Sequence, residues 1–407
     1  MNRWLLAGGL MILAAEIVFK GPSVVEPPPV VLDTEPAPVV SPVPQDLHLD
    51  STLVVDGFGP LTDVAAHPDS DLLYVVEKAG RILVVEGGMV REEPFLDISD
   101  RVESSGNEQG LVSFELHPEF SENRRGFLFY TDLQGDSQLV EVRASSDPGR
   151  ADPGSFRLIL EVPQENGQYH QSGSIAFAPD GLMWVSIGDG GGVGDPDKNG
   201  QNPENIEATI IRVGVDGGVP YEIPSDNFFV DSGEGMAEIW GFGVRNPWRI
   251  SIDSRQGLII IPDVGQEGSE EINIVPIRDR GHNFGWSITE GTLCYDRDYE
   301  LEECETDGIT MPVFEYLHEG DGCAVIGGEV YWGEAIPELH GHYFYADFCV
   351  GWVRSFAIQG GIVDDHRDWR DDLGRLGNVT SFGTDRHGEL LVTNLDGELW
   401  RLDVASG

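Results

Sequence analysis

Several residues able to do chemistry stand just before runs of apolar residues. His170 comes just before "SGSIAFAPDG", Arg245 and Asn246 just before "PWRISID", and Glu108 just before "GLVSFELHP". A histidine in this position could be a general base, a metal ligand or only a polar residue at a strand end. An Arg-Asn-Pro turn is by itself as readily a simple turn. The hypothesis of a site therefore depends on whether the fold brings these residues together.

The elements that would position them are short strands. Runs rich in Val, Ile, Phe, Tyr and Trp alternate with Gly, Asp and Asn turns, and no long amphipathic helix is evident. A loose repeat of a strand, a turn and a second strand occurs six times, most plainly in "LTDVAAHPDSDLLYVVEKAGRILVVEGG". Stacking such units radially buries both faces of every sheet. The sequence therefore predicts an all-β fold, a six-bladed β-propeller, with two β-sandwiches as the alternative.

Two consequences follow for a ring of blades. The early strand "STLVVDGF" is expected to pair with the final blade and close the ring, which removes an open edge. The inner strands converge on one central mouth, so the residues that precede them in the second, third and fourth copies should meet there. Glu108, His170, Arg245 and Asn246 become candidates for one shared site.

Charge and the N-terminal segment limit the function classes. Acidic residues outnumber basic ones 71 to 25, which gives a formal charge of −46. This charge would repel nucleic acid, and an acidic surface of this kind suits either a salty habitat or ordinary solubility.

Residues 1–20 include the apolar run "WLLAGGLMILAA", which predicts a signal peptide or, alternatively, an N-terminal membrane anchor. Residues 21–46 form a Pro-rich linker and residues 47–407 the predicted propeller. We expect an exported protein, periplasmic or extracellular.

Four cysteines in an exported chain are expected to be paired. Three pairings are possible, and joining the close couples, Cys294 with Cys304 and Cys323 with Cys349, requires the least rearrangement. A zinc site is the rival interpretation, although the spacing lacks a C-x-x-C pair.

Five segments, in order, resemble the glucose/sorbosone dehydrogenase family of quinoprotein sugar dehydrogenases. They are "HQSGSIAFAPDGLMWVSIGDGG", "GFGVRNPWRISID", "DVGQEGSEEINIV", "GHNFGWSITEG" and "GGEVYWGEAIPELHGHYFYADFCVGWV". The resemblance implies a six-bladed propeller that binds pyrroloquinoline quinone (PQQ) and calcium. It also implies oxidation of a sugar hydroxyl, commonly the anomeric one to a lactone, with electrons passing on to an external acceptor.

The resemblance also implies roles for single residues. His170 would be the general base, with Asp180 as the carboxylate that orients it. Arg245 and Asn246 would contact the quinone oxygens, and the backbone carbonyls of Gly265 and Gln266 would hold calcium. Arg375 would contact the cofactor's carboxylates, and Glu108 stands where the glucose-oxidising branch has a glutamine.

Departures from the family pattern keep other classes open. Cys349 stands where that branch has a cofactor-contacting lysine, and Glu329 where a tyrosine is common, so an acid there would disfavour a tricarboxylated quinone. The alternatives are a non-catalytic propeller that binds protein or glycan, and a calcium-dependent lactonase. The glycine-rich segment containing Asp189, Asp195 and Asp197 could also bind a separate structural calcium.

Overall fold

The computed structural model describes residues 22–27, 40–164, 168–296, 301 and 303–405. The predicted signal peptide or anchor and the middle of the predicted linker lie outside these residues. Where the structure does describe the chain, it contains no helix of the length and apolar character that a membrane crossing requires.

The described chain folds into six β-sheets arranged as the blades of a propeller, as the sequence predicts. Strand polarity alternates within each four-stranded meander, so the inner strand of every blade runs in the same direction along the central axis. The strands, from inner to outer, are as follows: blade 1, Leu61–Ala66, Leu72–Glu77, Arg81–Glu86 and Met89–Val90, with Leu96–Asp97 also on the third strand; blade 2, Leu111–Leu116, Arg125–Thr131, Ser137–Arg143 and Arg157–Val162; blade 3, Ser172–Phe177, Met183–Ile187, Thr209–Val213, Ile239–Phe242 and His282–Asn283; blade 4, Ser251–Asp253, Leu258–Asp263, Ser269–Pro276 and Phe314–Leu317; blade 5, Val325–Ile326, His342–Asp347, Val353–Gln359 and Ile362–Asp368; blade 6, Val379–Thr384, Leu390–Asn394, Leu399–Val404 and Leu49–Val55.

The remaining elements are short. Two further strand pairs join Ser23–Val25 to Glu222–Pro224 and Thr289–Glu290 to Leu293–Cys294. Single helical turns span Phe120–Asn123, His318–Asp321, Pro337–Leu339 and Arg370–Leu373.

The ring closes through its N-terminal strand. Leu49–Val55 pairs antiparallel with Leu399–Val404 and forms the outer strand of blade 6, which confirms the expected closure. Packing starts even earlier in the chain, because Val43 is 2% exposed and its N–H donates to Asp365 Oδ2 over 2.6 Å. Val43 therefore contacts blade 5, and the strand Leu49–Val55 completes blade 6.

Large apolar side chains fill the spaces between blades. Between blades 1 and 2, the rings of Tyr74, Phe95, Phe114 and Phe120 contact one another edge-on or tilted, and all four are buried. Burying a side chain of this size contributes about 1.5–3 kcal/mol each. The interfaces between sheets, not helix contacts, therefore carry most of the packing energy.

Arg249 forms hydrogen bonds across the channel to the inner strands of other blades. Its Nη2 donates to the carbonyls of Thr62 and Val112 over 2.5 and 2.7 Å, and its Nε donates to Ser381 Oγ over 3.1 Å. The guanidinium group of blade 4 therefore bonds to blades 1, 2 and 6. A planar group with five donors suits this position because each strand presents a backbone or hydroxyl oxygen to the axis.

Both expected disulfides are present, Cys294–Cys304 and Cys323–Cys349. The first closes a loop that follows the Thr289–Glu290 hairpin, and the second joins the start of blade 5 to the turn after its second strand. The pairing predicted from sequence proximity is thus confirmed, and all four cysteines are used.

Candidate functional site

The parallel inner strands bring residues of three blades to one mouth of the channel. Asn246 Nδ2 donates to Glu108 Oε2 over 3.2 Å, and the same oxygen accepts the backbone N–H of His170 over 2.6 Å. Arg245 Nη2 lies 2.9 Å from His170 Nε2. Glu108, His170, Arg245 and Asn246 are therefore in mutual contact, as the positions of the blade starts predict.

The neighbours of His170 define which ring nitrogen carries the proton. A guanidinium can only donate, so Nε2 of the imidazole accepts from Arg245. The proton then resides on Nδ1, which donates to Asp189 Oδ1 over 2.7 Å. In this tautomer Nε2 carries the lone pair that a base must offer, and Arg245 occupies it in this structure.

The expectation that Asp180 orients His170 is wrong. Asp180 lies in the turn between the first two strands of blade 3, and its Oδ1 accepts the N–H of Leu182 over 3.0 Å. That turn is at the far end of the hairpin from His170, about 20 Å away for strands of this length. The carboxylate on His170 is Asp189, which follows the second strand and so returns to the mouth of the channel.

Asp189 is itself fixed from both sides. Trp286 Nε1 donates to its Oδ2 over 2.8 Å, and the N–H of Gly191 donates to its Oδ1 over 2.8 Å. A side chain at Gly188 would bring Cβ within 2.0 Å of the His170 carbonyl oxygen, so only glycine lets the strand end approach so closely. The segment "IGDGG" thus builds the support for His170, whereas the sequence suggests its carboxylate only as a possible ligand of a separate structural calcium.

Glu108 holds the backbone of His170 in a rare conformation. His170 has φ of 56° and Ser172 has φ of 50°, both in the left-handed region that non-glycine residues seldom adopt. The Glu108 carboxylate accepts the His170 N–H and so stabilises this geometry. Burial raises the pKa of Glu108, while His170 and its N–H oppose that rise.

Arg245 connects the histidine to the predicted calcium turn. Its Nη1 donates to the carbonyls of Val264 and Gly265, over 2.7 Å each, and its guanidinium carbon lies 5.5 Å from the centre of the Trp286 ring. The backbone N–H groups of Arg245 and Asn246 donate to the two oxygens of Asp263, over 2.7 and 2.6 Å. Asp263 therefore holds the backbone of Arg245 and Asn246 in place.

The turn around Gly265 lies in an acidic environment. Asp263 pairs in register with Glu271 on the neighbouring strand, and burial raises the pKa of both carboxyls, each further raised by a neighbouring carboxyl. Two buried carboxyls this near resist ionising together. Carbonyl oxygens backed by buried acids form a favourable position for a cation, and here the Arg245 guanidinium lies against them.

These features fit the groups that the family resemblance implies. Arg245 Nε is buried and has no hydrogen-bond partner among the described residues, so the guanidinium has a donor left for a quinone or carboxylate oxygen. The Gly265 carbonyl already accepts from a cationic group, and Gln266 needs to supply only its backbone oxygen. The side-chain Oε1 of Gln266 already accepts the N–H of Gly194 over 3.2 Å and Nη2 of Arg245 over 3.4 Å.

The glycine-rich segment does not offer an additional calcium cage. Asp195 accepts the N–H groups of Asn199 and Gly200, and Asp189 is bonded to His170 and Trp286. Across the described part of the chain, no three His, Cys, Asp or Glu side chains converge on a metal position. A calcium ion at this mouth would therefore depend on backbone carbonyls.

The two positions that depart from the family pattern, Cys349 and Glu329, lie in different places. Cys349 is at the edge of blade 5, where its carbonyl accepts Nη2 of the exposed Arg375 over 3.4 Å. Glu329 instead lines a separate chamber of about 330 Å³ in the channel, together with Glu115 and Arg249. The described residues that line this chamber do not include His170 or Arg245. The expected effect of Glu329 on cofactor binding stays a prediction.

The fold and site together define a six-bladed β-propeller with a histidine–carboxylate pair, an arginine and a carbonyl turn at one axial mouth. The chain belongs to the glucose/sorbosone dehydrogenase family, whose model matches residues 60–401. This match includes strands of all six blades, although not the closing strand Leu49–Val55, and it includes every residue of the site.

Three comparisons show the range of relatives. The HIPL1 protein of Arabidopsis thaliana is 29% identical over 435 residues, which cover 84% of this chain but only 61% of HIPL1. The apo-form of the soluble aldose sugar dehydrogenase from Escherichia coli superposes with a TM-score of 0.74 at 22% identity, over 88% of this chain and all of that one. The PQQ-bound aldose sugar dehydrogenase from Streptomyces coelicolor gives 0.69 at 19% identity, over 90% and 100%. At these identities the two structures support the fold alone.

Proposed function

We propose that this protein is a PQQ-dependent aldose sugar dehydrogenase that oxidises the anomeric hydroxyl of a sugar to a lactone. The observation that carries the proposal is the contact of His170 with both Asp189 and Arg245, beside a carbonyl turn suited to calcium. Membership of the glucose/sorbosone dehydrogenase family supports the choice of cofactor.

His170 would take the proton of the sugar hydroxyl on Nε2. Its Nδ1 proton stays on the hydrogen bond to Asp189, whose negative charge stabilises the imidazolium that forms. Because Trp286 and Gly191 hold Asp189 rigidly, the ring keeps one orientation throughout. Arg245 must release Nε2 to the substrate, and its other donors to Val264 and Gly265 keep it close by.

The cofactor would be held by residues of several blades. Arg245, Asn246 and Glu108 would contact the quinone, Gly265 and Gln266 would supply carbonyl oxygens to calcium, and Arg375 would contact a carboxylate at the rim. When bound, the quinone supplies a hydride acceptor and calcium supplies polarisation of the quinone carbonyl. Arg245 would place a fixed positive charge beside the quinone oxygens.

We also propose that the protein works outside the cytoplasm and passes its electrons to an external acceptor. Two disulfides are favoured by an oxidising compartment. The sequence has no C-x-x-C-H haem attachment motif, so a separate redox partner would be required.

Quinone retention combined with dye reduction tests the proposal. Purified protein would be incubated with PQQ, with and without calcium, passed through a desalting column and assayed with a redox dye and a panel of aldoses. Calcium-dependent retention together with aldose-dependent dye reduction supports the dehydrogenase. Failure to retain the quinone would favour a non-catalytic propeller. Retention without turnover on any aldose would contradict the proposed substrate class.

A further inference from the structure

The turn that follows Gly265 wraps around a single carboxylate oxygen. The backbone N–H groups of four successive residues all donate to Oε1 of Glu290, at 2.9, 3.1, 2.7 and 2.9 Å: Gln266, Glu267, Gly268 and Ser269. Glu290 is 3% exposed and belongs to the short strand Thr289–Glu290. Converging N–H groups of this kind form an anion-binding nest, here filled by the protein's own side chain. The conformation of the turn therefore depends on Glu290.

Two of these N–H groups share peptide units with the carbonyls assigned to calcium. The Gly265 carbonyl is in one peptide plane with the Gln266 N–H, and the Gln266 carbonyl is in one plane with the Glu267 N–H. Both peptide bonds are trans, so each carbonyl points away from its N–H group and hence away from Glu290. The Gly265 carbonyl indeed meets the guanidinium of Arg245 at 2.7 Å.

The turn has little room to adopt another conformation. A Cβ atom at Gly265 would lie 1.9 Å from the Ser269 carbonyl oxygen and 2.7 Å from Glu290 Oε1. The chain therefore closes on the carboxylate tightly enough to require glycine. Loss of the carboxylate would free both peptide planes to rotate, because their N–H groups would have to find other acceptors.

We propose that Glu290 is a positioning residue that aims the Gly265 and Gln266 carbonyls at the calcium of the cofactor site. It acts through the two peptide groups and not by contact with the metal. The inference rests on the proposed function, because it assigns a role within that calcium site. Glu290 lies 24 residues beyond Gln266, on a different strand pair, which explains why the calcium motif alone does not include it.

The test compares Glu290→Gln with wild type and with Glu315→Gln as a matched control. Glu315 also holds a neighbouring loop, since its carboxylate accepts the N–H of Thr292 over 2.7 Å, but it does not bond to the 265–269 turn in the described structure. Calcium would be stripped with a chelator, and calcium chloride titrated back in the presence of PQQ while retained quinone absorbance is measured. Thermal unfolding without calcium would be recorded in parallel.

Glu290→Gln keeps an oxygen acceptor but loses the charge, so it should fold. We expect its half-saturating calcium concentration to rise by about 10- to 100-fold, the usual effect of losing a group that orients metal ligands. Its calcium-free unfolding temperature should stay close to wild type, excess calcium should restore turnover, and Glu315→Gln should match wild type throughout.

Equal calcium half-saturation in Glu290→Gln and wild type would overturn the inference, as would a loss of thermal stability with no change in calcium dependence. Failure of the proposed function gives a different result, because wild type itself would then retain no quinone at any calcium concentration. That result would also contradict the role proposed for Glu290. Glu290→Ala removes the acceptor altogether and should show a larger calcium defect if it folds.

Discussion

Oδ1 of Asp189 lies 2.7 Å from Nδ1 of His170, and the two residues stand on either side of the first hairpin of blade 3. Replacing this carboxylate with an amide removes the charge that stabilises the protonated ring and permits the wrong tautomer. We expect Asp189→Asn to lower kcat by about a thousandfold, an effect comparable to loss of the orienting aspartate in serine-protease triads. Steady-state dye-reduction kinetics of the quinone-loaded protein would measure it.

Asp180→Asn is the matched control for this prediction. It makes the same chemical change on the same hairpin, at the end remote from His170, where Asp180 accepts the N–H of Leu182. Its kcat should stay within about twofold of wild type, because the turn lies away from the reacting groups. A large loss of activity in Asp180→Asn with none in Asp189→Asn would reverse the assignment.

Arg249 should contribute strongly to stability. Arg249→Met removes the hydrogen bonds to Thr62, Val112 and Ser381 and leaves the neighbouring, half-buried Asp63 without its cationic partner. We expect the free energy of unfolding to fall by about 3–5 kcal/mol, measured by urea denaturation. Arg255→Met, at an exposed position of the same blade, should change it by less than about 1 kcal/mol. Similar losses in the two variants would contradict a special role for Arg249.

Glu329 should make stability depend on pH. Burial raises its pKa to about 8, whereas in the unfolded chain the value is near 4.3. Between these values the folded chain keeps a proton that the unfolded chain releases, so stability falls as pH rises through this window. We expect Glu329→Gln to raise the unfolding temperature by about 3 °C at pH 9 and to leave it unchanged at pH 4.

Calorimetry at both pH values would test this expectation. Glu338→Gln, on an exposed part of the same blade, should show no such difference between the two conditions. An equal effect of Glu329→Gln at pH 4 and pH 9 would show that the carboxyl does not titrate within the window.

Much of the fold is predictable from the sequence because strand periodicity and turn residues act locally. The six repeats, the closing strand at Leu49–Val55 and the two disulfides all follow from short-range patterns. The meeting of Glu108, His170 and Asn246 follows as well, since residues that precede parallel inner strands must lie at one end of the channel.

The supports of the site were harder to predict. The family motif suggests Asp180 as the partner of His170. Hairpin geometry is needed to see that Asp189, which follows the second strand, lies at the same end of the hairpin as His170. Trp286 and Glu290 reach the site from the long segment between the third and fourth strands of blade 4, which has no repeat period. Motif alignment sets Glu329 at a family tyrosine position, but it does not show that this side chain lines a chamber together with Glu115 and Arg249.

The most direct test of the central claim is dye reduction by His170→Ala beside wild type, each loaded with PQQ and calcium and supplied with an aldose. Without the imidazole no group at Nε2 can take the hydroxyl proton, so we expect kcat to fall by at least about a hundredfold. Retained quinone and the unfolding temperature should stay near the wild-type values, because the His170 side chain bonds only to Asp189 and Arg245 in the described structure. Wild-type turnover in a fully loaded His170→Ala protein would contradict the account.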